Sequence, residues 1–286
     1  MSIEVKNLSF CYAEKTPQET YALNDVSFRI SDGEFIGIMG QTGCGKSTLI
    51  QLIAGLLTPS KGHILIDNAD INASGYDRTI LRNTVGIVFQ YPEYQLFETT
   101  VEKDVAFALK HSGLSKSEIT KRVQWALETL GFSSMEIRKK SPLSLSGGEK
   151  RKVAIAGVLT AMPKILIFDE PLAGLDPCGR LEFLTLIEKL NREGTTILMV
   201  SHNTDCLCEY ARRILVLKGG ILAADGTPEE VFSNIDTAKL LHIGAGNIRS
   251  IAQSLYEKGL LSSPGITKYQ TLVDEIKAIR KAGERP

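Results

Sequence analysis

What this sequence lacks narrows its role before any motif is read. No apolar run approaches the roughly 20 residues needed to span a bilayer; the longest, such as Ile165 to Phe168 and Thr196 to Val200, fall far short. Any membrane role must therefore pass through a partner. There is no excess of either charge, 33 Lys and Arg standing against 33 Asp and Glu, so the basic footprint of a nucleic-acid binder is missing. The five cysteines (Cys11, Cys44, Cys178, Cys206, Cys208) include no CxxC pair, and an odd count argues for reduced thiols in an intracellular chain over a disulfide framework. Cys206 and Cys208, two apart on a predicted helix, are expected on different sides of it and make no metal site. The opening segment MSIEVKNLSFCY has no basic stretch followed by an apolar core, so export is not expected. No repeat at a period of tens of residues and no low-complexity tract is found, which excludes solenoid and disordered architectures. What remains is an ordinary globular composition, 43% hydrophobic and 23% charged, with length for one large domain and a small appendage.

Patterning gives that domain an α/β organisation. Ile3, Val5, Leu8 and Phe10 alternate with polar residues, and Tyr21 to Ile30 follows after a loop, which predicts antiparallel strands with one face covered. Phe35 to Met39 reads as a buried strand, Lys46 to Leu57 as a helix, and His63 to Ile66 and Val85 to Phe89 as further strands. From about Val101 to Ser141 the period becomes helical, with Ser115 and Ser117 as capping candidates. Strands at Ile165 to Phe168 and Thr196 to Val200 then alternate with helices at Lys150 to Thr160 and Gly179 to Asn191, the rhythm of a largely parallel sheet. A strand pair, Arg213 to Leu217 and Ile221 to Ala224, closes this part. Beyond it, glycines and prolines interrupt short segments whose apolar residues recur at helical spacing. The expected domains are residues 1–228, with a helical subdomain over about 92–150, and a helical appendage over 229–286.

Three motifs carry chemistry. Gly40-Gln41-Thr42-Gly43-Cys44-Gly45-Lys46-Ser47, followed by Thr48, fits the phosphate-binding loop GxxxxGK[ST] and lies between a predicted strand and helix. There the glycines let backbone N–H groups face phosphate oxygens, Lys46 reaches the terminal phosphates and Ser47 offers a hydroxyl to Mg²⁺. Ile165 to Glu170 is an apolar strand ending in two acids, a layout that sets Asp169 beside the metal and Glu170 where it can polarise an attacking water. Leu145-Ser146-Gly147-Gly148-Glu149 opens a helix with a serine and two glycines, a second anion-binding surface in a chain whose nucleotide already has a site.

The order GQTGCGKS, Gln90, LSGGE, ILIFDEP, GLD at Gly174 to Asp176, and His202 resembles the nucleotide-binding subunit of ABC transporters over about Ser2 to Pro228. The resemblance implies a P-loop NTPase core of the ABC ATPase type with an antiparallel β-subdomain, an inserted α-helical subdomain and a C-terminal helical appendage. It implies head-to-tail pairing with a second ABC ATPase, in which Ser146, Gly147 and Gly148 of one chain cap ATP held by the other. By the same carry-over Tyr12 is similar to the aromatic that stacks on adenine, although a strand-end aromatic also suits core covering. Gln90 resembles the residue linking Mg²⁺ and water to the membrane partner, Asp176 the cross-interface loop residue, and His202 the γ-phosphate switch. Gln90 to Phe97 with Thr100 to Phe107 is similar to the ATPases of energy-coupling-factor importers, which take up vitamins or transition-metal ions through a membrane coupling protein and a substrate-binding membrane protein, and DEPLAGLDP to the second ATPase type among them. Glu149 stands where that family often has glutamine. Glu93 or Glu98 is expected to pair with an arginine of a coupling helix. The alternative function is a soluble ABC ATPase acting on ribosomes or DNA; a single cassette without long heptad runs counts against it. A degenerate cassette that binds without hydrolysing is opposed by Lys46, Asp169, Glu170 and His202. These readings put the chain at the cytoplasmic face of the cell membrane, held there by its partners. Replacing Glu170 with Gln is expected to abolish turnover while ATP-bound dimers persist; unchanged phosphate release by E170Q assigns the base elsewhere.

Overall fold

The computed structural model describes residues 1–110, 112–133, 136–232, 243–244 and 246–283. Strands β1 (Ile3–Tyr12), β2 (Thr20–Ile30), β4 (Lys61–Ile66) and β5 (Ala69–Asp70) form an antiparallel sheet in the order β2-β1-β4-β5. Strands β3 (Phe35–Gly40), β6 (Val85–Val88), β7 (Ile165–Asp169), β8 (Thr196–Val200), β9 (Arg213–Lys218) and β10 (Ile221–Gly226) form the second, in the order β10-β9-β3-β8-β7-β6. All its pairings are parallel except that of β10 with β9.

The short apolar runs are accounted for by burial on both sheet faces. Along β7, Ile165 and Ile167 enter one core with Ile38, Leu49 and the inward residues of the antiparallel sheet. Leu166 and Phe168 enter another, shared with Val105, Val153 and Leu159 of the helical region. Each strand thus glues two layers together.

Several boundaries differ from the sequence reading for local reasons. The helix after β3 runs Lys46–Ile53 and stops short of Leu57, because Gly55 turns left-handed (φ 68°) while Gly55 N donates to Leu52 O and Leu56 N to Gln51 O, a Schellman ending. Ser115 caps Lys116–Thr129 by accepting from Glu118 N at 3.2 Å, and Ser117 lies inside the helix. A short helix, Arg78–Thr84, capped by Asp77, gave no periodic signal. Cys206 and Cys208 both lie on Thr204–Tyr210, and both are buried. The helix is therefore covered on more than one side. Burial pushes both thiols up to about 12, which makes them inert structural residues.

The larger core continues past residue 228 to Val231, Phe232 and Ile243. Helices Asn247–Glu257 and Tyr269–Gly283 then build a small core of their own around Ala252, Leu261 and Leu272. The stretches 233–242, 245 and 284–286 of the expected appendage lie outside the described residues. Among the described residues no helix is long and apolar enough to cross a membrane.

Gly62, far from the phosphate loop in sequence, tests the β1–β4 joint. Its φ is 84°, and a Cβ there would lie 2.3 Å from Asn7 O and 2.4 Å from Lys6 O. Gly62→Ala is expected to cost at least about 1–2 kcal/mol, the penalty for a left-handed L-residue alone. Urea denaturation measures it, and an unchanged midpoint contradicts the close approach.

Candidate nucleotide site

The parallel register brings the chemistry to one edge. Ile38 and Asp169 both pair with Val200, and Val88 pairs with Phe168, so β3, β8, β7 and β6 end side by side. Gly40 onward, His202, Glu170 and Gln90 leave those strands at their carboxyl ends, where ligands bind in open α/β sheets.

The phosphate loop requires its glycines. Gly40 has φ 146° and a Cβ there would lie 2.2 Å from Leu217 O; Gly45 has φ 103° and its Cβ would meet Ala22 O at 2.4 Å. Lys46 is 7% exposed, and its ammonium donates to Gly40 O at 2.7 Å and Gln41 O at 2.8 Å, so the charge sits inside the curl of the loop. Gln41, Thr42 and Gly43 are exposed on its rim, while Cys44 is buried beneath it. Ser47 is exposed at the helix start and hydrogen-bonds Asp169. Tyr12 joins the loop through its hydroxyl, 3.1 Å from Thr48 Oγ1, and its ring meets Phe10 edge-on at 4.8 Å. The residue is 44% exposed.

Burial raises the Asp169 carboxyl above the ordinary carboxylate range, against the lowering effect of the Ser47 hydroxyl and Lys46. Burial likewise raises Glu170, partly offset by His202. Glu170 sits at φ 46°, held there by its own N–H on Val200 O at 3.0 Å, while its carbonyl accepts from Ala173 N at 3.2 Å. Its Oε1 is buried without a hydrogen-bond partner, and His202 Nε2 lies 3.4 Å away. A left-handed glutamate with an unsatisfied oxygen is the strained, perturbed group expected of a working base. Gln90 is exposed just past β6.

A cavity of about 500 Å³ opens beside this edge, lined by Met39, Gly40, Gln41, Thr42 and His202 and, from the C-terminal region, by Ile243 and Gly244.

The signature residues stand apart, on the helical region. Ser146 caps Gly147–Leu159 with Glu149 in a reciprocal capping box: Glu149 N donates to Ser146 Oγ at 3.3 Å and Ser146 N to Glu149 Oε2 at 2.9 Å. The Ser146 hydroxyl, which donates to Glu149 Oε2 at 2.7 Å, and then the Ser146 N–H hold the Glu149 carboxyl below its usual range. Glutamate in place of glutamine is thereby explained, since either side chain closes the box. Gly147 and Gly148 are exposed, their φ is not positive, and an added Cβ would meet nothing within 4 Å. Asp176 caps Pro177–Arg192 by accepting from Gly179 N at 2.6 Å. Glu93 lies near enough to Arg151 to favour its charged form, while Glu93 Oε2 is buried without a hydrogen-bond partner.

Arg151, which sequence reading passed over as part of a basic helix start, joins two parts of the site region. It is 5% exposed and donates to Ala173 O at 2.8 Å and to Pro171 O, tying the signature helix to the loop after Glu170. Three successive basic residues on a helix point about 100° apart, so Lys150-Arg151-Lys152 had to turn one of them inward; nothing in the pattern said which.

Because Glu170 must be ionised to accept a proton, its raised pKa sets the acid limb of the expected ATP hydrolysis. The kcat–pH profile should climb through a pKa above the ordinary glutamate value of about 4.3 and be lost below it. A limb at or under that value contradicts the effect of burial.

Residues 23–173 match the family model described as ABC transporter. The chain is 46% identical to the "Energy-coupling factor transporter ATP-binding protein EcfA2" of Clostridium tetani, covering 98% of this chain and 97% of that one. It is 45% identical to the protein of the same name from Clostridioides difficile, with 99% of each covered. Among solved structures, cbiO1 from Clostridium perfringens, described as part of the ABC transporter complex cbiONQ, superposes with a TM-score of 0.72 at 40% identity over 83% of this chain and 94% of that one. The ATP-binding cassette MJ0796, a dimer bound to ADP and Pi, superposes with a TM-score of 0.69 at 31% identity over 79% and 98%. A fold, a phosphate loop and near full-length relatives agree: the chain belongs to the ABC transporter ATPases, with the ATP-binding proteins of energy-coupling factor transporters.

Proposed function

We propose that this chain energises an energy-coupling-factor importer, hydrolysing ATP within a head-to-tail pair of ATPases so that membrane partners move a vitamin or a transition-metal ion. The observation carrying the paired site is the state of Gly147 and Gly148. Gly40 and Gly45 are demanded by this chain's own backbone, but nothing in the chain crowds the two signature glycines. A partner's nucleotide supplies the missing reason: without Cβ atoms the N–H groups of the helix start can approach phosphate closely.

In this reading Tyr12 offers its ring to the adenine, and the phosphate-loop amides with Thr48 hold the phosphates. Lys46 neutralises the terminal phosphates, Glu170 accepts the proton of the attacking water, and His202, across from Glu170, faces the γ-phosphate. Asp176 orders the start of its helix at the facing subunit, and Gln90 reports the site's state outward. The residues also fit Mg²⁺. Ser47 and Asp169 give adjacent hard oxygen donors, and the raised Asp169 carboxyl is that of an acid to which a cation would be welcome. Among the described residues no cluster of three or more His, Cys, Asp or Glu could cage an ion. Mg²⁺ needs no such cage, being bound through one or two protein oxygens and the substrate's own phosphates; there it would neutralise charge on the transferring phosphoryl group.

The surface for the membrane partner follows Gln90. Tyr91, Tyr94, Phe97 and Phe107 are all exposed, Tyr94 at 85%, an aromatic concentration of the kind that marks protein interfaces. These aromatics would surround Glu93, whose Oε2 has no hydrogen-bond partner within the chain, and Glu98, either of which would pair with an arginine of the coupling helix. Such contacts hold the chain peripherally at the cytoplasmic face. The appendage, which exposes Ile251, Tyr256, Leu260 and Ile276, is proposed to add to contact between the two ATPases.

Gly147→Ala separates structure from function. It is expected to leave thermal stability unchanged or slightly higher, since alanine exceeds glycine in a helix by about 0.5–1 kcal/mol. ATP-induced dimerisation and turnover should fall at least about tenfold, for a loss of 1.4 kcal/mol or more in closing the shared site. Normal turnover in the stable variant removes the paired-site argument.

A further inference from the structure

The described start of the appendage is tied to the nucleotide edge by Thr204 and Asp205, which follow His202 and Asn203. Asn203 caps the helix Thr204–Tyr210 by accepting from Cys206 N at 2.9 Å, and its own N–H donates to Ser201 Oγ at 3.1 Å, so the loop bearing His202 is fixed at both sides. From the first turn of that helix, Thr204 Oγ1 donates to Gly244 O at 2.7 Å. Asp205 spreads its carboxylate over the start of the helix Asn247–Glu257, Oδ2 accepting from Asn247 N at 3.0 Å and Oδ1 from Ile248 N at 3.1 Å. That helix has no side-chain cap of its own. Gly246, at φ 83°, lets the backbone come this near, since a Cβ there would lie 2.6 Å from Asp205 Oδ1. The segment held in place is the same one whose Ile243 and Gly244 line the cavity opposite Gly40, Gln41, Thr42 and His202.

We propose that Thr204 and Asp205 are positioning residues that latch the appendage to the His202 loop and fix the Ile243–Gly244 wall of the nucleotide cavity, so that nucleotide binding and the hold on the appendage are energetically linked. The physical argument is short. The wall belongs to the appendage side of the chain, yet its position is set by hydrogen bonds from the element that also carries His202. A nucleotide that engages Gly40 to Thr42 and His202 stiffens that element, and by linkage a change in the latch alters nucleotide affinity by the same factor. Asp205 supplies the only cap that the Asn247–Glu257 helix has among the described residues, and an aspartate in that role contributes measurably to helix stability. This inference rests on the nucleotide reading of the Gly40–His202 edge, and its test separates the two.

Hydrogen exchange of the full-length chain, with and without AMP-PNP and Mg²⁺, reads the latch at the amides of Asn247 and Ile248. In the wild-type chain AMP-PNP should slow their exchange about fivefold, the lower end of ordinary coupling between sites. Asp205→Ala should make the same amides exchange fast and equally with or without AMP-PNP, and weaken AMP-PNP binding about fivefold. Asp205→Asn keeps one acceptor oxygen in place of the two that Asn247 N and Ile248 N now use, so it should restore the AMP-PNP response at one of the two amides and recover part of the affinity. Thermal unfolding checks that Asp205→Ala is folded; where it is not, Thr204→Val, which removes the hydroxyl bond to Gly244 and keeps the Asp205 cap, should weaken AMP-PNP binding about fivefold, and unaltered affinity in that variant overturns the linkage. AMP-PNP bound tightly with unaltered exchange at Asn247 and Ile248 overturns the linkage alone. A full response in folded Asp205→Ala does the same. Failure of the wild-type chain to bind AMP-PNP overturns the nucleotide reading and the linkage with it.

Discussion

The parallel register of β3, β8, β7 and β6 is the constraint on which the rest depends. Its rows fix Ile38, Val200 and Asp169 at one level, and each strand is held in that row by apolar residues pointing alternately into two cores. A slip by one residue would exchange the cores and move every emerging loop. The alignment of the phosphate loop, the two acids and the histidine is thus a by-product of packing. Because the sheet is buried on both faces, its edge is rigid enough to keep a strained glutamate in place.

That rigidity is spent on charge. Lys46 is almost buried, and burial pushes Asp169 and Glu170 toward their neutral forms. Such a concentration of ionisable groups opposes folding and is tolerated where a ligand will complete it. The site edge, where Glu170 Oε1 is buried without a partner, is one place in the larger domain where expectations of a satisfied core fail.

Much of this was legible in the sequence because the relevant signals are local. The phosphate loop, the acid-tipped strand and the alternating opening strands each announce themselves within a few residues, and helix caps such as Ser115 and Ser146 obey short-range rules. What escaped depends on contacts between distant segments. The two-residue strand β5 and the helix Arg78–Thr84 are too short for periodicity to register. Burial of both Cys206 and Cys208 reflects packing against the appendage side as well as the sheet side, which a helical wheel of one element does not contain. Arg151 looked like one solvated cation among three, and Asp205 like an ordinary first-turn acid, because their partners lie at Pro171 and Ala173 and at Asn247 and Ile248.

The Arg151 strut has a mechanical meaning. One end is rooted in the signature helix and the other grips the backbone immediately after the base, at Pro171 and Ala173. In a head-to-tail pair the signature surface of a chain lies against its neighbour's phosphates, whereas the loop beyond Glu170 belongs to that chain's own. In the proposed pair, a displacement felt at one nucleotide would thus reach, through this guanidinium, the loop that follows the other's base. The two hydrolytic centres of such a pair would act less like independent engines than like pistons on one crank.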